Sequence, residues 1–206
     1  MDKTIDSGEK FFSTKNIVYL AILTALLVVL NLLSTVFKVI TSINLTLIPI
    51  VLGALLLGVR GGLILGLISG LMTFIFGVTG VDPFTAFLVQ SQPILTFLTC
   101  VLKTTIAGIV GGLIYNAIKV KNKYVATFVT SAIVPILNTA IFIIGGFTMY
   151  NTINVLASGN GESVVYFLII TCAGVNFLIE LSVNLIVAPA IHTVVRVLEN
   201  TAIRNR

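Results

Sequence analysis

The sequence predicts an all-α membrane protein, a bundle of six transmembrane helices with both termini in the cytoplasm. Of its 206 residues, 57% are hydrophobic and only 9% are charged, whereas a soluble globular domain is about a quarter charged. Uncharged apolar stretches of about 20 residues, the length that crosses a bilayer, follow one another along the chain. Because these stretches take up nearly the whole chain, a water-soluble protein is excluded.

The positive charges predict the orientation. With the N-terminus in the cytoplasm, Lys38 alone falls outside and Lys103 lies within a span. The predicted cytoplasmic set is Lys3, Lys10, Lys15, Arg60, Lys119, Lys121, Lys123, Arg196, Arg204 and Arg206. Cytoplasmic loops carry such an excess of Lys and Arg, so the net charge of +5 reflects membrane topology and nucleic acid is excluded as a partner.

We expect a single membrane domain, 1–206, that begins with a cytoplasmic segment, 1–15, and ends in a cytoplasmic tail, 198–206. The first span, 16–37, contains an apolar run longer than the about 7–15 residues of a signal-peptide core, so we expect it to be retained. The other predicted spans are 45–59, 63–77, 93–118, 124–147 and 164–197.

Four further connections are predicted between the spans. A tight cytoplasmic turn at 60–62 joins the second and third spans, and the loop 38–44 faces outside. The segment 78–92 is too apolar for a plain linker and is typical of a lid or re-entrant piece over a cavity. A second external loop is predicted at 148–163.

Glycines recur at intervals of four around the third span. They are Gly58, Gly62, Gly66 and Gly70, and Gly108 and Gly112 repeat the spacing in the fourth span. Small residues on one helical face allow a neighbouring helix to approach closely. The pattern therefore favours close packing over a gating hinge.

Two ionisable residues lie within predicted membrane spans, where burying a charge in hydrocarbon is energetically unfavourable. Lys103 is about ten residues into the fourth span, and Glu180 is near the middle of the sixth. A charge in hydrocarbon costs about 3 kcal/mol or more, so such a residue normally faces a cavity or a partner. Either the two pair with each other, or one or both meet the polar groups of a solute.

Amide side chains accompany these charges. Asn176, Glu180 and Asn184 are spaced by four and share one helical face. Asn138 lies three residues after Pro135 in the predicted fifth span. Because proline has no backbone N–H, a nearby carbonyl of the helix loses its hydrogen-bond donor. Together with Gln90 and Gln92, these side chains predict a cavity for a small neutral or mildly anionic metabolite; the alternative is hydrogen bonding that only joins the helices.

Motifs for catalysis or cofactor binding are missing from the sequence. Cys100 and Cys172 stand alone within apolar stretches, and His192 is interpreted as an interfacial polar residue. No zinc-protease, serine-hydrolase or nucleotide-binding motif occurs. We therefore expect no enzyme activity, metal or cofactor, and any ATP-driven step requires another subunit.

Several short motifs carry a family resemblance that covers the chain from the first span to Arg196. They are Ala21-x-x-x-Ala25, the glycine-rich hairpin, Val78-Thr-Gly-x-Asp82, Cys100-Val-Leu-Lys103, Pro135-Ile-Leu-Asn138 and Asn176-Phe-Leu-Ile-Glu180. Together they resemble the S components of energy-coupling factor (ECF) transporters, the substrate-binding subunits of prokaryotic vitamin importers. Within that group the pattern is most similar to the pantothenate type.

The resemblance implies a multi-pass protein of the prokaryotic plasma membrane that binds a vitamin near the outer face. Its implied partners are the ECF transmembrane coupling subunit, docked through Ala21 and Ala25, and two ATPase subunits. The vitamin is released inward as the S component topples in the membrane. Residues 77–82 correspond to part of a lid.

The implied substrate-binding residues are Lys103, Asn138, Asn176, Glu180, Gln90, Gln92, Asp82 and Thr79. Lys103 is the candidate partner of the pantothenate carboxylate. Three alternatives remain open at this point: an S component for another vitamin such as folate or cobalamin, a stand-alone transporter that exchanges protons through Glu180, and an intramembrane enzyme.

Overall fold

The protein is helical throughout the residues that the computed structural model describes, 13–36 and 45–204, with side chains from 13–34 and 45–198. The helices follow the chain in the order α1 Thr14–Val36, α2 Leu47–Leu56, α3 Gly58–Val78, α4 Pro83–Ser91, α5 Pro93–Ile118, α6 Lys123–Thr148, α7 Tyr150–Gly159, α8 Val164–Tyr166, a π-helical segment Phe167–Gly174, and α9 Val175–Arg204. The predicted external loop 38–44 and most of the N-terminal segment lie outside these ranges.

Five helical stretches are long and apolar enough to cross a membrane. Four are α1, α3, α5 and α6, and the fifth is the continuous rod Val164–Leu198, which joins α8, the π-helical segment and α9. The second predicted span, 45–59, is shorter in the structure, where α2 has 10 residues. A helix of this length is about 15 Å long, whereas the hydrocarbon core of a bilayer is about 30 Å thick. The described residues thus form five helical stretches of spanning length and one shorter apolar helix of 10 residues, α2.

The predicted turn at 60–62 is wrong, because these residues lie in the first turns of α3. The chain reverses at Leu57–Gly58 instead, where Gly58 adopts a φ of +67° that other residues rarely tolerate. Gly61 and Gly62 are needed for packing: a side chain on Gly61 would strike the backbone of α2 at Gly53.

The glycine spacing confirms close packing between α3 and α5. Added side chains at Gly62, Gly66 and Gly70 would collide with the α5 backbone at successive turns, near Gly108, Thr104 and Cys100 respectively. The Oγ1 of Thr104 also donates a hydrogen bond of 2.6 Å to the carbonyl of Gly66. The backbones are therefore in direct contact, as small residues permit.

The predicted connections 78–92 and 148–163 each contain a helix. The first holds α4, which begins at Pro83, a favourable first helical position. The second holds α7, and together with the start of the last rod these helices bury a separate apolar cluster that includes Leu88, Ile153 and Leu168. We call α4 and α7 the cap, because they cover the end of the bundle where α5 begins and α6 ends.

The last rod differs from its prediction in two ways. Its helix continues to Arg204, through most of the predicted tail 198–206. Its outer part, Phe167–Gly174, is π-helical. A π-helix has a wider turn than an α-helix and occurs frequently at functional sites, and here it ends two residues before Asn176.

Candidate functional site

Contacts between antiparallel helices establish the relative heights of the polar side chains. On α5 and α6, the Nζ of Lys103 lies 5.5 Å from the centre of the Phe142 ring. On α6 and α9, Thr127 Oγ1 lies 3.5 Å from His192 Nδ1. Each residue advances a helix by about 1.5 Å, so the Thr127–His192 contact places Asn176 on α9 at about the height of Phe142 on α6, and therefore of Lys103 on α5. Asn138 and Glu180 lie about one helical turn farther from the cap.

The ammonium of Lys103 faces an aromatic ring. In the described part of the chain, no ion pair joins it to Glu180 or to another carboxylate, and the face of Phe142 supplies a weaker cation–π attraction. The side chain is half-buried. A cation held in this way retains its capacity to bind an anion.

Two predicted amides have buried oxygens without a donor. Asn138 is 4% exposed, and its Oδ1 has no hydrogen-bond partner among the described residues. The Nδ2 of Asn176 donates to the carbonyl of Cys172 at 3.0 Å, which orients its Oδ1 as the acceptor that lacks a partner. An unmet buried polar group costs about 1–3 kcal/mol, so these oxygens are places where a ligand or water donor is favourable.

Further polar groups line the same three helices more deeply. Glu180 is 6% exposed, and its backbone carbonyl accepts a 2.8 Å hydrogen bond from Asn184 Nδ2. In the described segments, the buried Oδ1 of Asn184 and the hydroxyls of Thr105 and Ser131 also lack partners. The middle of the bundle is therefore unusually polar for a membrane interior.

The cap lies over this polar region through aromatic contacts. The rings of Phe84 on α4 and Phe142 on α6 have centroids 6.1 Å apart. Phe142 thus contacts both the cap and the Lys103 ammonium. Sequence reasoning missed both aromatic residues, because a phenylalanine in an apolar stretch looks the same whether it faces lipid or a site.

Four predicted site residues lie in or next to the cap. Gln92 Nε2 donates to Thr152 Oγ1 on α7 at 3.0 Å, and Asp82 Oδ2 accepts from Thr85 at 2.7 Å. Thr79 is exposed and bonds to the carbonyl of Ile75, and Gln90 is also exposed. Gln92 and Asp82 thus make contacts within the cap region, and Thr79 and Gln90 are exposed.

Comparison with known protein families agrees with this architecture. The model of the family described as ECF transporter, substrate-specific component, matches residues 15–192. The chain belongs to this family. No curated protein and no solved structure matches the chain.

Membership establishes the general role of this S component. It is a multi-pass membrane protein and the substrate-binding subunit of an ECF transporter, and the family implies a vitamin substrate and an ECF module as partner. S components are transport subunits and not enzymes, so the intramembrane enzyme considered from the sequence is wrong.

The S component presents its predicted docking residues outward. Ala21 and Ala25 are both exposed on α1, whereas Leu23 and Leu27 on the opposite side are 5% and 0% exposed and pack into the core. The small face is thus accessible to a partner helix. Its use for docking remains a prediction.

Proposed function

We propose that this S component is the pantothenate-binding subunit of an ECF importer in the plasma membrane of a prokaryote. It takes the vitamin from outside, beneath the cap, and releases it inward by reorienting in the membrane when docked on the coupling subunit and its two ATPases. Lys103, Asn138, Asn176 and Glu180 are the proposed contacts.

The observation that carries this proposal is the combination of acceptors and one cation at neighbouring heights. The oxygens of Asn138 and Asn176 are buried acceptors that require a donor, and the Lys103 ammonium rests on an aromatic ring. A ligand that satisfies all three has one anionic group and several hydrogen-bond donors. Charge-assisted and neutral hydrogen bonds then act together in a region of low dielectric constant.

Pantothenate has this chemistry. Its single carboxylate suits Lys103, and its two hydroxyls and amide N–H supply donors to the asparagine oxygens. Folate carries two carboxylates and cobalamin is far larger. One ammonium near these asparagine oxygens favours the small monocarboxylate.

The proposal is tested by identifying the bound vitamin. The full chain is purified in mild detergent, the ligand that co-purifies is identified by mass spectrometry, and the ligand-free protein is titrated calorimetrically with pantothenate, folate and cobalamin. We expect pantothenate to co-purify and to bind with one-to-one stoichiometry. Binding of another vitamin with no binding of pantothenate contradicts the assignment.

A second measurement separates this proposal from proton exchange through the buried Glu180. Proteoliposomes that contain only this chain are given an inward proton gradient and labelled pantothenate. We expect binding without accumulation. Accumulation in the absence of ATPase subunits supports the stand-alone transporter instead.

A further inference from the structure

A cavity of about 340 Å³ opens at the end of the bundle opposite the cap. It lies where α5 ends, α6 begins and α9 passes both. We call it the basic cleft; it is lined by Tyr115, Asn122, Lys123, Tyr124, His192, Val195 and Arg196. Its volume falls in the range of small-ligand sites, about 300–1,000 Å³.

The lining residues make the cleft electropositive. Lys123 and Arg196 are cationic, and no carboxylate is among the described residues that line the cavity. Arg196 carries a planar guanidinium, whose N–H groups match two oxygens of a phosphate. The ring of His192 is oriented by Tyr124, edge-on at 5.3 Å between centroids.

The surroundings of the basic cleft are apolar and exposed. Val120 is 85% exposed, Val194 46% and Val197 56%, and Tyr124 on the cleft itself is 51% exposed. Tyrosines are enriched at the level of lipid headgroups, where one end of the ring is apolar and the other is wet. A cationic cavity beside exposed apolar side chains matches the two parts of a phospholipid.

We infer that the basic cleft binds the phosphate of an anionic phospholipid headgroup, with the acyl chains along the adjacent apolar side chains. The site lies in the leaflet that the positive charges predict to be cytoplasmic. Basic pockets between helices on this side of a membrane are suited to anionic headgroups. The inference does not depend on which vitamin the S component binds.

The test measures lipid retention by the full chain. Protein in neutral detergent is titrated with phosphatidylglycerol or phosphatidylcholine, and bound lipid is counted by native mass spectrometry. We expect one phosphatidylglycerol to be retained in preference to phosphatidylcholine. Arg196→Gln should weaken this binding about tenfold or more, the effect of losing one charged hydrogen bond.

Arg60→Gln is the matched control, because Arg60 is an exposed arginine of α3 outside the cleft. It should leave lipid retention unchanged, and circular dichroism verifies that both variants fold. Equal retention by the wild type and Arg196→Gln overturns the inference. Displacement of the lipid by excess inorganic phosphate, with phosphate binding that depends on Arg196, instead assigns the site to a soluble phosphate and overturns the lipid as its source.

Discussion

Two buried asparagine oxygens without a donor, those of Asn138 and Asn176, lie within about one helical turn of the height of Lys103. If Asn138 and Asn176 held the bundle together, their oxygens would accept hydrogen bonds from neighbouring helices. In the described structure they do not, although the Nδ2 of Asn176 is bonded within its own helix. The unmet acceptors therefore favour the ligand role that the sequence left undecided.

Replacement of Asn138 by leucine should separate binding from stability. Leucine has a similar volume and removes an oxygen that is buried without a partner, so we expect the thermal unfolding midpoint to stay the same or rise. Pantothenate affinity should fall about fivefold or more, because one hydrogen bond to the ligand is lost. Calorimetry and a thermal melt measure the two effects.

Asn184→Leu is the control for that experiment. Asn184 is 1% exposed and also has an unpartnered oxygen, but it lies about one turn deeper than Glu180. Its substitution should leave affinity unchanged. A large loss of stability in Asn138→Leu, with affinity intact, would return Asn138 to a structural role.

Replacement of Lys103 by methionine should weaken binding of the anionic vitamin selectively. Methionine keeps the length of the side chain and removes its charge, so pantothenate affinity should fall about tenfold or more. The alcohol analogue of pantothenate, which lacks the carboxylate, should bind both proteins similarly. Calorimetric titrations with both ligands make the comparison.

Lys119 provides a matched control, since its Nζ also lies 5.5 Å from the centre of a ring, that of Tyr115, at the other end of α5. Lys119→Met should have no effect on either ligand. Unchanged pantothenate affinity in Lys103→Met would remove Lys103 from the site.

At the level of the helix, α1 divides into a packed side and an exposed side. Leu23 and Leu27 join the core, and Ala21 and Ala25 are exposed between larger apolar residues such as Ile22. Two alanines one turn apart let a partner helix approach closely. Docking on the coupling subunit through this exposed side remains a prediction.

Ala25→Leu should therefore impair uptake and spare binding. A larger side chain keeps the two helices apart, so ATP-driven uptake by proteoliposomes containing the complete ECF complex should fall severalfold. Pantothenate binding by the isolated chain should not change. Ala140→Leu, at an exposed alanine of α6, should affect neither measurement, and an equal loss of binding in Ala25→Leu would show that the docking assignment is wrong.

Other elements show where helix prediction succeeds and where it fails. The bounds of α5 and α6 agree closely with the sequence, because long apolar stretches end at polar turns. The start of α3 was misplaced, since glycine both breaks and packs helices and a sequence does not reveal which. The cap helices were missed because nine or ten residues with mixed polarity resemble a loop.

Considered as a whole, the described molecule has two different ends. The cap and its apolar cluster cover one end, where the last rod begins with α8 and the π-helical segment. The other end carries Arg60, the basic turn between α5 and α6, and the basic cleft. Between them lies the polar region of α5, α6 and α9, where we propose that the vitamin binds.

The sequence alone determined the membrane class, most spans and the family resemblance, because burial in lipid demands long apolar helices whatever their neighbours are. It also located Lys103, Asn138, Asn176 and Glu180 as costly polar residues. Only the tertiary structure decided that Lys103 rests on Phe142 and that the asparagine oxygens lack donors. The physical reason is that partners on different helices depend on relative height and rotation, which hydropathy does not encode.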